Sequence, residues 1–305
     1  MIFFIFNGKN LIIIYKEESE LSDIREKIKR QIEIISSVIS EPGKNKIVDL
    51  ELKYDCNSAT IKRDLKDIRK RGIDIHAIKG RGIYIINKIT IEKIKELLSE
   101  YMLVNNIDIS HDNATHFLAD AQKEKSIVML TLLWKSIKSN LVVEIEYKKN
   151  YKSNPASKIV EPLLIYQREN NWRMLGRNNG EIKQFLLSKI HAVMLTDKIF
   201  EAPKIDLYQD LLSNSFGTWI DEKCYKVKLE FSSYWNVGGT VPLLMKNQKV
   251  TQKANGSYVI ELEINSLEEL ARWIAGRGNE VMVLEPVELR NIILELADQI
   301  KELYN

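Results

Sequence analysis

Between Ser58 and Gly82, eight basic side chains (Lys62, Arg63, Lys66, Arg69, Lys70, Arg71, Lys79 and Arg81) stand against three acids, Asp64, Asp67 and Asp74. This stretch carries +5, whereas the whole chain of 305 residues carries only +3. Charge concentrated in this way does electrostatic chemistry, and the partner it suits is a polyanion such as a phosphate backbone. Covalent chemistry has no comparable foothold. His76, His111, His116 and His191 are scattered, and Cys56 and Cys224 lie far apart, with no C-x-x-C pair and no histidine at ligand spacing. No Ser/His/Asp or Cys/His grouping and no paired carboxylates stand out, so neither an enzyme nor a metal or cofactor site is expected. Such cysteine usage points to a reducing compartment, the cytoplasm.

The elements that must position those cations follow from apolar spacing. Ile24, Ile28, Ile32, Ile35 and Ile39 recur every three or four residues, which predicts an amphipathic helix over 21–39, ended by Glu41-Pro42-Gly43. A short helical stretch at 46–54 and a turn at Asp55-Cys56-Asn57 precede a third helix, which Ser58 is expected to cap and Gly72 to stop. Its core face is Ile61, Leu65 and Ile68. β-like runs at 73–78 and 83–86 then flank Lys79-Gly80-Arg81-Gly82, a hairpin with a basic tip. Helix, turn, helix and hairpin make a winged helix-turn-helix, in which the first turns of the second helix of the motif face base edges. That nominates Ser58, Ala59, Lys62 and Arg63 for the bases of double-stranded DNA, with Asn57 beside them also expected to bind DNA. Thr60, Lys66 and Lys70 would meet phosphates, and Lys79 and Arg81 a neighbouring minor groove or backbone.

With 45% hydrophobic and 29% charged residues, the rest of the chain reads as several globular domains. The apolar runs on either side of Asn7-Gly8 predict a β-hairpin over residues 1–20, being too short and too interrupted for a membrane span and lacking the flanks of a signal peptide. Thr90 is expected to cap a helix carrying Ile91 to Tyr101, followed by a polar connector at 105–115 and one helix over 117–138. Short strands at 141–147, 158–166, 171–177, 182–187 and 190–196, joined by Asn/Gly/Ser-rich turns, predict a small β-barrel. Further strands at 225–231, 248–253, 257–264 and 280–284 alternate with helices, the first opened by a capping box Ser266…Glu269 and the last by Pro286. This implies an α+β sandwich, with an Asn255-Gly256 hairpin turn and with Leu270, Trp273 and Ile274 in its core. Arg277 and Arg290 are its candidates for an acidic partner.

Several of these segments resemble known families. Asn57-Ser-Ala-Thr-Ile-Lys-Arg-Asp-Leu65, Gly72-Ile and Lys79-Gly-Arg-Gly-Ile-Tyr84 resemble the winged helix of DeoR-type regulators. Val142-Val-Glu-Ile-Glu-Tyr147, Lys158-Ile-Val-Glu-Pro162, Trp172-Arg-Met174 and Phe185-Leu-Leu-Ser-Lys-Ile190 resemble the WYL domain. Gly278 to Pro286, with Leu289-Arg290 and Tyr304, resembles the WCX extension. The resemblance implies an α+β multidomain chain: an N-terminal hairpin extension (1–20), the winged helix-turn-helix (21–88), a helical linker (89–138), a Sm-like WYL barrel (139–203) and a WCX α/β sandwich for dimerisation (204–305).

It further implies a sensor barrel whose basic and aromatic residues bind an anionic ligand, a nucleotide or nucleic acid. Tyr147 and Trp172 match the family pattern, Lys158 and Lys189 keep positive charge, and Tyr166 offers a stacking surface. Arg173 replaces the family's tyrosine, Leu186 an arginine and Ser188 an aspartate, so Arg173 and Arg177 would have to supply the charge. With Trp172 pointing inward, strand alternation predicts Arg173 and Arg177 on the outward face. The implied whole is a homodimeric, ligand-responsive repressor on a palindromic operator. The competing readings are a single-stranded nucleic-acid sensor, or an activator in a phage-defence or DNA-damage response.

Overall fold

The computed structural model describes residues 2–7, 10–15, 18–107, 112–149, 154–168, 170–203, 212, 215–216, 223–233, 243–245 and 247–304, with side chains from Leu21 onward. The chain divides into two compact units, Met1–Glu181 with Phe185–Glu201, and Ile182–Gln184 with Ala202–Asn305. Strands β1 (Ile2–Asn7) and β2 (Asn10–Tyr15) pair antiparallel as the N-terminal hairpin; its tip at Gly8, like His111 and the loop at 150–153, falls outside the described residues. No helix among the described residues is long and apolar enough to cross a membrane.

Helices α1 (Glu18–Ser40), α2 (Ile47–Tyr54) and α3 (Ser58–Lys70) are followed by the hairpin β3 (Ile75–Ile78) and β4 (Gly82–Ile85). At the start of α3 the cap is Asn57, not Ser58: Asn57 Oδ1 accepts from the Thr60 backbone N–H at 2.9 Å. The segment between α1 and α2 joins the hairpin as a short third rung, through Gly43 N to Ile83 O and Ile83 N to Asn45 O, both 2.9 Å. Gly82, at φ +92°, permits this approach, because a Cβ there would lie 2.1 Å from the Gly43 carbonyl oxygen.

The sequence treats Asp64 as one more surface acid, yet it is 1% exposed. Arg30 Nε and Gln31 Nε2 of α1 donate to its two oxygens at 2.6 and 3.0 Å, and one turn further on Lys27 Nζ donates to Asp67 at 2.7 Å. These ties hold α3 against α1. The far end of α3 is held by Arg71, which pairs with Glu96 (3.4 Å) and Glu100 of α4 (Ile91–Val104).

Helix α4 opens at Thr90, whose hydroxyl accepts from Lys93 N at 3.3 Å as expected. The single helix expected over 117–138 is two, α5 (Asp112–Gln122) and α6 (Lys125–Ser139), broken at Lys123 with φ +51°. Nothing local stops the helix there, so the left-handed residue, which costs about 1–2 kcal/mol, is held by packing on both sides. Gln122 Nε2 donates to Ser188 O at 2.6 Å, and Ser126 Oγ caps back onto Lys123 O.

Strands β5 (Leu141–Tyr147), β6 (Ala156–Arg168), β7 (Asn171–Asn178), β8 (Glu181–Leu186) and β9 (Ile190–Ile199) form one sheet in the order β8-β7-β6-β5-β9. The expected closed barrel is therefore, among the described residues, an open sheet with β8 and β9 as its edges. It must nonetheless roll. Only the 3-10 turn Leu187–Lys189 joins its two edges. Four residue steps reach at most ~14 Å, less than the ~19 Å across a flat five-stranded sheet. Strand β6 makes the bend, pairing with β5 up to Val160 and with β7 from Glu161, with a bulge between Pro162 and Leu164. Opposite Pro162 stands Gly176, where a Cβ would meet Val160 Cγ1 at 2.5 Å and Glu161 O at 3.2 Å.

One apolar core runs through this first unit, from Ile32, Ile61 and Ile68 through Leu97, Leu118 and Leu130 to Val143, Trp172 and Ile190. In the second unit β11 (Lys249–Gln252), β12 (Tyr258–Ile264), β10 (Tyr225–Phe231) and β13 (Val281–Glu285) form an antiparallel sheet in that order. One face buries Val227, Leu229, Phe231, Ile260 and Leu262 with residues of α7 (Leu267–Ala275) and α8 (Val287–Tyr304). Leu270 and Ile274 are core, as expected, and Trp273 packs at its margin. Ser266 stands at the N-cap of α7 but makes no side-chain capping bond, and the β11–β12 loop has three residues closed by Lys253 N to Ser257 O, not the two-residue turn expected.

Two outcomes follow from this packing. Gly176→Ala should lower stability by about 1–3 kcal/mol through overpacking at the bend, and an unchanged denaturation midpoint would show that the bend does not need the approach. Asp64→Ala should cost about 3–5 kcal/mol by stranding a largely buried Arg30, read from denaturant unfolding; a loss below about 1 kcal/mol would mean that the pair contributes no more than an exposed one.

Candidate nucleic-acid interface and effector site

At about 100° per residue, Ala59, Lys62, Arg63, Lys66 and Lys70 fall within about 60° of one direction on α3, while Ile61, Asp64, Leu65 and Ile68 fall on the opposite side. Burial agrees: the second group is buried and the first exposed. Asn57 is exposed at the cap, with Ser58 and Thr60 half-buried beside it. Lys79 and Arg81 are exposed at the hairpin tip, where Arg81 N donates to Ile78 O at 3.0 Å to close the turn.

The cations divide into two groups. Arg69 donates to Ile75 O at 2.8 Å and Arg71 is committed to α4, so both build the head. Lys70 makes a 3.3 Å exposed pair with Asp67, the kind of contact worth little. Lys62, Arg63, Lys66, Lys79 and Arg81 make no ion pair or side-chain hydrogen bond among the described residues. The acids meanwhile are occupied: Asp64 by Arg30 and Gln31, Asp67 by Lys27 and Lys70, Asp74 by His76 at 2.5 Å. Lys27's hydrogen bond, more than its charge, holds the Asp67 carboxyl below the usual range. Asp64 was the residue missed by inspection, although the helical period that buries Ile61, Leu65 and Ile68 includes it.

In the rolled sheet the expected ligand residues separate. Trp172 is core, 2% exposed, and its indole N–H donates to Thr115 Oγ1 of α5 at 3.1 Å. Arg173 faces the other way, as alternation requires, but that face is also covered and Arg173 is 3% exposed. Arg177 is paired with Glu161, its cross-strand partner, and donates to Glu201 O at 3.2 Å. The outward, available arginines that alternation predicted are thus a buried one and an engaged one. Lys189 donates to Lys149 O at 3.1 Å; Lys158 is half-buried opposite Ile145.

Three of the expected residues do come together. Tyr166 is the cross-strand partner of Arg173. Tyr147 accepts a hydrogen bond from Leu186 N at 3.4 Å and meets Phe185 edge-on at 5.3 Å. Burial pushes both phenols up, while the Arg173 charge opposes the rise in each. The cluster Tyr147, Tyr166 and Arg173 therefore brings one cation near two phenols that stay protonated at neutral pH. In the second unit Arg277 lies over the Trp273 ring at 4.4 Å and Arg290 bonds to Leu284 O, so the two candidates for an acidic partner serve their own domain. Among the described residues no group of three or more His, Cys, Asp or Glu could hold a metal ion.

A family model of the WYL domain matches residues 128–195, starting within α6, and a model of the WCX domain matches residues 224–301. Protein PafB of Mycobacterium bovis and of Mycobacterium tuberculosis is 27% identical over 173 residues, covering 54% of this chain and 51% of the relative. The chain thus spans about half the length of the curated relatives it matches. Among solved structures, the proteasome accessory factor B/C (PafBC) of Arthrobacter aurescens aligns over 93% of this chain and 54% of its own at 11% identity and TM-score 0.26. A CRISPR Cas-related protein aligns over 93% and 86% at 13% identity and TM-score 0.29. Superpositions this loose do not bear on the fold. What the comparisons show of this chain is a match to the WYL domain followed by a match to the WCX domain.

Proposed function

We propose that the chain is a DNA-binding transcriptional regulator, acting in the cytoplasm by binding and not by catalysis. One observation carries this reading: five exposed cations on α3 and the β3–β4 tip have no intramolecular partner among the described residues, while the acids between them are turned inward or neutralised. A surface so arranged suits a phosphate backbone, with the first turns of α3 in the major groove and the hairpin tip beside it. The pairing of a WYL with a WCX domain supports a regulatory role. The finer reading is a homodimeric repressor on a palindromic operator, each head supplying one reading helix. Its effector would be a nucleotide or short nucleic acid at Tyr147, Tyr166 and Arg173, with Lys158 and Lys189 nearer the rim.

Direct binding tests this. Lys62→Ala/Arg63→Ala should weaken binding to duplex from the region upstream of its own gene and relax its sequence preference, whereas Lys66→Ala/Lys70→Ala should reduce the salt slope by about 2. Unchanged affinity and slope would remove α3 as the reading helix, and preferential binding to single strands would favour the sensor reading instead. For the effector, Arg173→Met should abolish the effect of added oligonucleotides on duplex affinity while leaving unliganded affinity unchanged. An unaltered response would take Arg173 out of the site.

A further inference from the structure

A cavity of about 460 Å³ opens in the first unit between the N-terminal half of α1, the end of α4 and the second half of α6. That volume lies within the usual range for small-molecule sites, about 300–1,000 Å³. Arg25 and Lys29, one turn apart on α1, face Lys138 of α6, and Glu26 is the one carboxylate among the lining residues. Trp134, one turn before Lys138, forms part of the wall and is 9% exposed. Its indole Nε1 has no hydrogen-bond partner among the described residues, and Lys138 Nζ stands 4.9 Å from its ring centroid. A buried indole N–H normally finds an acceptor. Asn105, at the end of α4, uses its amide nitrogen on Tyr101 O at 2.7 Å, which leaves its side-chain oxygen to accept. Neither the DNA-facing surface of α3 nor the Tyr147 cluster uses any of these groups.

We propose that this cavity is a second ligand site, taking an organic phosphate of nucleoside monophosphate size. The three cations would meet the phosphate, the indole N–H an acceptor on the base, and Asn105 Oδ1 an exocyclic amino group. The position gives such a ligand leverage. Helix α1 holds α3 through Arg30 and Lys27, and α6 belongs to the core that reaches the β-sheet, so a ligand bridging α1 and α6 fixes the head relative to the sheet. That leverage on DNA rests on the function proposed above; ligand binding itself does not.

Calorimetric titration of AMP into the full chain, without DNA, tests it. In Arg173→Met, which removes the cation of the Tyr147 cluster, one site with a Kd below about 1 mM is expected to persist, weakened about tenfold or more when Lys138→Gln or Trp134→Phe is added. Circular dichroism of the variants should match that of the wild type. Absence of binding in Arg173→Met, or equal affinity after Lys138→Gln or Trp134→Phe is added to it, would each overturn the assignment. Ribose 5-phosphate binding as tightly as AMP would overturn recognition of the base. Failure of duplex binding with AMP binding intact would overturn the regulator reading alone.

Discussion

The first unit depends on one constraint: a single apolar core serves both the helical head and the rolled sheet, and it is continuous only because α5 and α6 lie between them. Ile127, Leu130 and Leu133 of α6 are buried in it, as are Leu118 and Ala119 of α5. Densely packed interiors transmit displacement, because a side chain cannot move without moving its neighbours. The hydrogen bonds across that core point the same way. Trp172 reaches Thr115, Gln122 reaches the turn joining β8 to β9, and the Ile89 backbone N–H at the foot of the hairpin reaches Glu124 at 2.9 Å. The segment between head and sheet is therefore structural mass.

How much of this was legible in the sequence depended on where the deciding information sat. The positions of α1 to α4 and of most strands follow from isoleucine and leucine spacing, since their burial is periodic. Caps were legible to within one residue: Thr90 holds its place, whereas Asn57 took the role expected of Ser58, both being good capping types side by side. The break at Lys123 was not legible, because Gln122-Lys-Glu-Lys125 consists of good helix formers and the contact beside it, Gln122 Nε2 to Ser188 O, joins residues far apart in sequence. Nor was the roll of the sheet, which goes with a close approach at Gly176 set by the bulged pairing of β6 with β7.

The candidate ligand site illustrates a different limit. Alternation correctly puts Trp172 and Arg173 on opposite faces of β7, but alternation says nothing about what covers each face. Five consecutive residues of β7, Trp172 to Gly176, are buried, which is the pattern of a strand packed on both sides. A cation held there is shielded from bulk water, so its interaction with a bound anion would be worth more than the same contact at the surface, and its desolvation is borne by the folded protein in advance.

The split between committed and uncommitted cations on the head sets a ceiling on what one head does alone. The exposed stripe from Ala59 to Lys70 is about 16 Å long, roughly half a turn of B-DNA. Four phosphates neutralised by Lys66, Lys70, Lys79 and Arg81 would correspond to a slope of about −3.6 in log affinity against log salt. On the proposed reading, so short a stripe would hold DNA only loosely at moderate ionic strength, and most of the sequence discrimination would have to come from a second head placed a full turn away.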